Sequence, residues 1–218
     1  MKESLRTFMN GLIDYAGLFP PADLPLNEAI NEYCEQIKSE NSAMLSRFII
    51  PISKLDDLDF QNVIFMIGCS EHHILNIHPT LAMEKNVLAL SRFLWYLKDS
   101  KREVNKIITF TTTLQYYTSK MKLPCDELQP RNPTINNYVL SKYVSELITE
   151  QHRDIFDIID VRMSNVYGPT KLMRPDIVPS TIWSLIHNKK ASLWTKKPKR
   201  DFIYVDDAID AVLKLIKT

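Results

Sequence analysis

KIITFTTTLQYY (106–117), a polar connector containing PCDE (124–127), and NNYVLSKYVSE (136–146) together form the stretch that decides the fold. Its first part is a nearly continuous apolar, β-branched run, which predicts a strand buried on both faces and ending in the hydroxyls of Thr111, Thr112 and Thr113. Its last part predicts a helix with Tyr138 and Lys142 four residues apart, and therefore on one face. A strand-end hydroxyl, a phenol and an ammonium make a proton-transfer set.

The physical demand on that set is quantitative. A phenol has a reference pKa of about 10, and lowering it to about 7 takes roughly 4 kcal/mol. One cation about 4 Å away, at an effective dielectric near 20, supplies about that much. Lys142 is placed to be that cation, and Thr112 to share a substrate oxygen with Tyr138. Such a set moves a proton on or off a carbinol oxygen while a hydride leaves or joins the carbon, and a nicotinamide would be the hydride partner.

Outward from this stretch the pattern alternates. NVIFMIG (62–68) predicts a buried strand, and Pro79 opens a long helical stretch through LAMEKNVLALSRFLWYLKDS (81–100). The helix carrying Tyr138 spans 137–152, DIFDIIDVR (154–162) predicts a third strand, and DIVPSTIWSLIHNKK (176–190) a helix with Pro179 in its first turn. ASLWT and FIYV are extended, and DDAIDAVLKLIK is a final helix with Asp206 as its cap. Strands alternating with helices of this length mean βαβ units and a parallel sheet. Before them, residues 1–58 read as helix, loop, helix and strand, with Asn27 as a cap and RFIIP (47–51) as the strand.

Composition narrows the function classes. The 218 residues are 45% apolar and carry 27 basic against 26 acidic side chains, so net charge predicts neither a nucleic-acid partner nor an anionic membrane. No apolar run approaches the ~18–20 residues that span a bilayer, and a cytoplasmic protein is expected. Cys34, Cys69 and Cys125 are widely separated and odd in number, which argues against a disulfide framework or structural zinc. Only four glycines occur, Gly11, Gly17, Gly68 and Gly168, and none are spaced as a phosphate-binding turn. Phe93, Trp95 and Tyr96 are expected in the core or a cleft wall, KKPKR (196–200) in a solvated turn, and Glu146 in a surface ion pair.

The order strand, TTT, QYY, Y-x-x-x-K-x-x-x-E, VRMSNVYGP (161–169) and RDFIYVDDA (200–208) resembles the NAD-dependent epimerase/dehydratase group of the extended short-chain dehydrogenase/reductases, over about residues 60–218. The resemblance implies an α/β, Rossmann-like parallel sheet, a nucleotide-sugar substrate, and NAD or NADP as cofactor. It implies that Tyr138 is the acid/base, that Lys142 lowers its pKa and holds the cofactor ribose, and that Thr112 takes the Ser/Thr role. Asn86 matches an asparagine that helps seat the cofactor, with Gly68 of IGCS (67–70) at the cofactor as well. Asn165 would lie at the nicotinamide and sugar end of the cleft, and Arg200 would reach the diphosphate, where a guanidinium fork suits phosphate oxygens. His72, His73 and His78, near Cys69, are expected as loop histidines in the region that contacts cofactor in the family, not as metal ligands. Thr112 is followed by Thr113 and Leu114 rather than by an Asp-Glu pair, which favours epimerase- or reductase-like chemistry over 4,6-dehydration.

The chain also departs from the pattern. The family's first βαβ unit with its glycine-rich turn is expected before NVIFMIG, where residues 1–58 stand instead. Within those, DYAGLFPPADLPLNEAI (14–30), with RFIIP after it, resembles the start of a bacterial family of unassigned activity. The family's C-terminal substrate region is expected beyond Thr218. The expected organisation is an N-terminal segment, 1–58, and a partial Rossmann domain, 59–218. The expected function is a nucleotide-sugar epimerase/dehydratase-like enzyme. The alternative is an inactive remnant or a binding or assembly module, in which a second copy or a partner chain completes the sheet.

Overall fold

Lys106–Thr112 forms the central strand of a three-stranded parallel sheet. In this computed structural model the described residues are 60–118, 121–168, 176–193 and 199–218. They fall into two compact units, 60–164 and 165–218. Expectations for residues 1–58, and for Lys196 to Pro198 of the basic loop, lie outside the described residues.

In the first unit the strands are β1 (Asn62–Phe65), β2 (Lys106–Thr112) and β3 (Ile158–Met163), in the order β1-β2-β3. The register pairs Val63 with Ile107, and Ile107 in turn with Ile158; Thr112 lies opposite Met163. Between β1 and β2 run α1 (His72–Ile77), α2 (Pro79–Met83), a π-helical turn (Glu84–Leu88) and α3 (Ala89–Asp99). A 3-10 turn (Thr113–Tyr116) follows β2, and α4 (Asn137–Glu150) leads to β3. The first unit is thus two successive βαβ crossovers, as its alternating pattern requires.

Burial follows from periodicity. Phe65, Leu90, Leu94, Tyr96, Leu97, Ile107, Phe156 and Ile158 form one buried cluster, with Phe93 packed against it. Leu75, Ala82, Tyr138 and Val139 form a second. On α4 the buried face also carries Ser141, Ser145, Glu146 and Thr149. The three hydroxyls bond back to the carbonyls of Tyr138, Lys142 and Glu146, so these small residues meet the sheet with no unsatisfied polar group.

Several expectations need correction. Trp95 is 64% exposed, because it sits between Leu94 and Tyr96 on the solvent side of α3's stripe. His72 and His73 lie in a short helix rather than a loop. β1 ends at Phe65, three residues before Gly68, and β3 begins at Ile158, because residues 151–156 turn before the strand starts.

In the second unit, β4 (Asn165–Tyr167) and β5 (Phe202–Tyr204) pair in parallel, with α5 (Ile177–Asn188) between them and α6 (Val205–Lys217) after them. SNVYGP therefore supplies a strand that its three-residue length hid in the sequence. α6 begins one residue earlier than expected: Tyr204 is its cap position, with no side-chain cap, and Asp206 and Asp207 lie inside the first turn, where carboxylates complement the helix dipole. Pro179 occupies the first turn of α5 as expected.

Adjacent residues on α3 should respond very differently to truncation. Leu94→Ala, at a site with no exposure, should cost about 2–5 kcal/mol in urea unfolding, whereas Trp95→Ala should stay within about 0.5 kcal/mol.

Candidate active site at the start of α4

Asn136 ends an extended segment, and its side chain accepts a hydrogen bond from Val139 N at 2.9 Å, fixing where α4 begins. Tyr138 is therefore in the first turn and Lys142 one turn on. Asn137 ties this end to α1: its Nδ2 donates to the carbonyls of Leu75 (3.3 Å) and Asn76 (3.2 Å), and its own amide donates to Asn76 Oδ1. The imidazole of His72 stacks on the Tyr138 ring, with centroids 4.2 Å apart and planes 22° apart.

Lys142 Nζ donates to the carbonyl oxygen of Phe110 at 3.0 Å, reaching β2 two residues before Thr112. The ammonium borders a recess of about 20 Å³, room for one water molecule, whose walls include Phe65, Met66, Ile67 and Leu90. With so little water, burial pulls the Lys142 pKa down to about 8, although the Cys69 thiol opposes the shift. Gly68 lies against the same ammonium. A Cβ there would stand 3.2 Å from Lys142 Nζ and 2.8 Å from Asn86 Oδ1, so only glycine fits this approach without displacing the asparagine.

Asn86 is fully engaged by protein. Its Oδ1 accepts from Cys69 N (2.7 Å), and its Nδ2 donates to Cys69 O (3.0 Å) and Ser141 Oγ (2.9 Å). It is a staple between the loop after β1 and α4, projected from the π-helical turn, a distortion that concentrates at functional sites. Thr112 Oγ1 accepts from Leu114 N at 3.1 Å and caps the 3-10 turn.

One turn beyond Lys142, Glu146 is not at the surface as the sequence suggested; its side chain is 5% exposed. It accepts hydrogen bonds from Thr111 Oγ1 (2.6 Å), Gln115 Nε2 (2.6 Å), Arg131 Nη1 (2.5 Å) and the Arg162 guanidinium (2.7 Å from Nη2). Burial would push its pKa up, but the hydrogen bonds from Arg162, Thr111 and Gln115 outweigh it and hold the carboxyl below its usual range. Arg162 also donates to the Tyr116 hydroxyl, which donates in turn to Glu127 O at 3.0 Å. The sequence signal overlooked was an arginine inside a buried-strand pattern, IIDVRM, which demands a buried counter-charge.

These contacts follow from a motif order that is not this chain's alone. The model of the NAD dependent epimerase/dehydratase family matches residues 53–218. The chain belongs to that family. Among curated relatives, bovine (Bos taurus) dTDP-D-glucose 4,6-dehydratase is 32% identical over 117 residues, covering 52% of this chain and 32% of the relative. The dTDP-4-dehydro-6-deoxy-D-allose reductase of Streptomyces bikiniensis is 34% identical over 91 residues, 39% of this chain and 28% of the relative. Among solved structures, the UDP-N-acetylglucosamine 4-epimerase of Methanobrevibacter ruminantium M1 superposes with a TM-score of 0.67 at 19% identity, covering 76% of this chain and 54% of that one. The NAD dependent NDP-hexosamine 5,6-dehydratase TunA gives 0.65 at 23% identity, with 75% and 53% covered. The fold is therefore the Rossmann-type α/β fold of these enzymes, and the chain spans about a third of the length of the curated relatives it matches.

Of the residues expected at the site, Gly68, Asn86 and Lys142 lie against one another in the first unit, Tyr138 stands one helical turn before Lys142, and Thr112 is at the end of the strand on which Lys142 docks. Asn165 and Arg200 belong to the second unit, where Asn165 Nδ2 donates to Asp201 O at 3.0 Å, next to the exposed Arg200. Among the described residues no group of three His, Cys, Asp or Glu side chains could hold a metal, and no helix is long and apolar enough to cross a membrane.

Two outcomes follow. Glu146→Ala leaves two guanidinium groups facing a buried gap and should cost about 3–5 kcal/mol by denaturant unfolding. For Lys142, folding lowers the amine's pKa, so the unfolded chain binds more protons between about pH 8 and the unfolded value of 10.5, and stability rises with pH across that window. The Tm of Lys142→Met minus that of the native chain should therefore be most positive below pH 8 and shrink as pH rises to 10.5.

Proposed function

We propose that the chain carries the proton-transfer half of an NAD(P)-dependent enzyme acting on nucleotide sugars, with Tyr138 as acid/base. The observation that carries this reading is the desolvated Lys142 ammonium, fixed to Phe110 O one helical turn from Tyr138 and against the bare backbone of Gly68. The residues present fit the nicotinamide–ribose end of a dinucleotide: a fixed cation donor beside a backbone that no side chain screens. When bound, the nicotinamide would exchange a hydride with a sugar carbon.

Tyr138 would take or return the proton of the carbinol oxygen on that carbon. Lys142, mostly protonated at neutral pH, would favour the phenolate electrostatically and hold ribose hydroxyls. Thr112 already accepts from Leu114 N, and its hydroxyl proton is the one it would give to the substrate oxygen. Asn86 would serve the cofactor indirectly, by holding the Gly68–Cys69 backbone in place. Asn165 and Arg200 would contact the sugar and the diphosphate.

The reaction type is narrowed by the lack of an acid after Thr112. Eliminating water from a sugar needs a protonated carboxyl or its equivalent beside the leaving hydroxyl. Thr113 and Leu114 occupy those positions, and Glu146 is locked as a carboxylate by Arg131 and Arg162. Epimerase- or reductase-type chemistry is the reading that remains.

NADH fluorescence titration with the full chain should show saturable binding, and conversion of dTDP- or UDP-hexoses should fall about 10²–10⁴-fold in Tyr138→Phe with NADH affinity retained. Absence of binding at millimolar NADH, or turnover unaffected in Tyr138→Phe, would sink the proposal.

A further inference from the structure

The stack of His72 on Tyr138 is not required by the proton-transfer set, and nothing in the chemistry of Tyr138, Lys142 and Thr112 accounts for it. We propose that His72 is a positioning residue for Tyr138: its imidazole lies against one face of the phenol ring and blocks the ring from swinging toward α1, which fixes where the hydroxyl stands. The inference rests on the reading of Tyr138 as acid/base, and deepens it.

Three observations carry it. First, the rings are 4.2 Å apart and 22° from parallel, so the Tyr138 ring cannot swing toward α1, or flip about its own axis, without displacing the imidazole. Second, Tyr138 is the second residue of α4, in the turn whose amides lack intrahelical acceptors and which frays first. A side chain there needs a brace from outside its own helix. Third, the brace is anchored at both ends. Leu75 of α1 is fully buried in the same cluster as Tyr138 and Val139, and Asn137, the residue before Tyr138, bonds the carbonyls of Leu75 and Asn76. α1 has six residues and no side-chain cap of its own, so these contacts with α4 fix where His72 stands. A second fastening, Asn86 to Cys69 and Ser141, holds the loop that precedes α1 to the same helix.

The contribution to rate is geometric. The Tyr138 oxygen lies on the Cβ–Cγ axis, so rotation about that bond leaves it in place; swings about Cα–Cβ move it, and the stack blocks those toward α1. Catalytic groups must be held within about 0.5 Å of their productive positions, and a displacement of 1 Å can cost about 10²-fold in rate. A planar, uncharged ring at position 72 would do the same work as histidine, whereas a branched aliphatic side chain of similar bulk would fill the space without backing the whole face of the phenol ring.

The test uses the full chain with ¹³C-labelled tyrosine, the Tyr138 ring signals being assigned by their loss in Tyr138→Phe. His72→Leu should shift and sharpen the Tyr138 signals as the ring begins to flip freely, while Tyr116 and Tyr143 keep theirs; His72→Phe should restore the native pattern. In turnover, His72→Leu should lower kcat about 10–100-fold with KM nearly unchanged, and His72→Phe should recover most of it. Tyr138 signals indifferent to His72→Leu would overturn the inference, as would equal movement of Tyr116 and Tyr143 or failure of His72→Phe to rescue. The reading of Tyr138 as acid/base fails on a different result: no turnover difference between the native chain and Tyr138→Phe, whatever the ring signals do.

Discussion

The buried carboxylate of Glu146 is the interaction on which the first unit depends. It draws together the end of β2 through Thr111, the 3-10 turn through Gln115, the connector through Arg131 and β3 through Arg162. A carboxylate taken out of water costs several kcal/mol, and that cost is recovered only when its lone pairs are filled and its charge matched. Here both conditions are met, so the four segments are locked into one arrangement around α4. Because Glu146 is one turn from Lys142 and two from Tyr138, the same arrangement sets the depth at which these two side chains meet the sheet.

A second constraint is the closeness of α4 to β2. Ser141, Ser145 and Thr149 recur at four-residue spacing on the buried face; each bonds a carbonyl of its own helix, and Ser141 and Thr149 also bond Asn86 and Asp160. Bulkier residues at these positions would lift the helix from the sheet. Lys142 Nζ could not then reach Phe110 O, and water would re-enter the recess that depresses its pKa. The lysine's altered acidity is a consequence of helix–sheet distance, and that distance is a consequence of three small polar side chains. The absent side chain at Gly68 is the counterpart on the other wall, where a methyl group would collide with Asn86.

The site thus couples two kinds of fastening. One is ionic and lies behind the helix, around Glu146. The other is neutral and lies in front of it, where Asn86 and Asn137 bind backbone groups of the segment between β1 and α2, and Asn86 also bonds the Ser141 hydroxyl of α4. Neutral amide bonds to the backbone each contribute modestly, about 1 kcal/mol, but they specify direction closely. That is the fitting choice beside a tyrosine and a lysine, since a further fixed charge there would compete with the electrostatics of the phenol and the ammonium.

Much of this was legible in the chain. The alternation of buried runs and amphipathic stretches determined the parallel α/β order of the first unit, because periodicity is a local property that burial on one or two faces imposes directly. The four-residue spacing of Tyr138 and Lys142 determined that they share a face, since the helix repeat is fixed by backbone geometry. The tertiary structure alone decided that Glu146 is interior, that Trp95 is exposed while Tyr96 is not, that Asn86 spends its hydrogen bonds on Cys69 and Ser141, and that His72 lies flat on Tyr138. Each of these joins residues distant in sequence or turns on which side of an element meets its neighbour. Their energies depend on desolvation and close approach, quantities that exist only once the elements are packed.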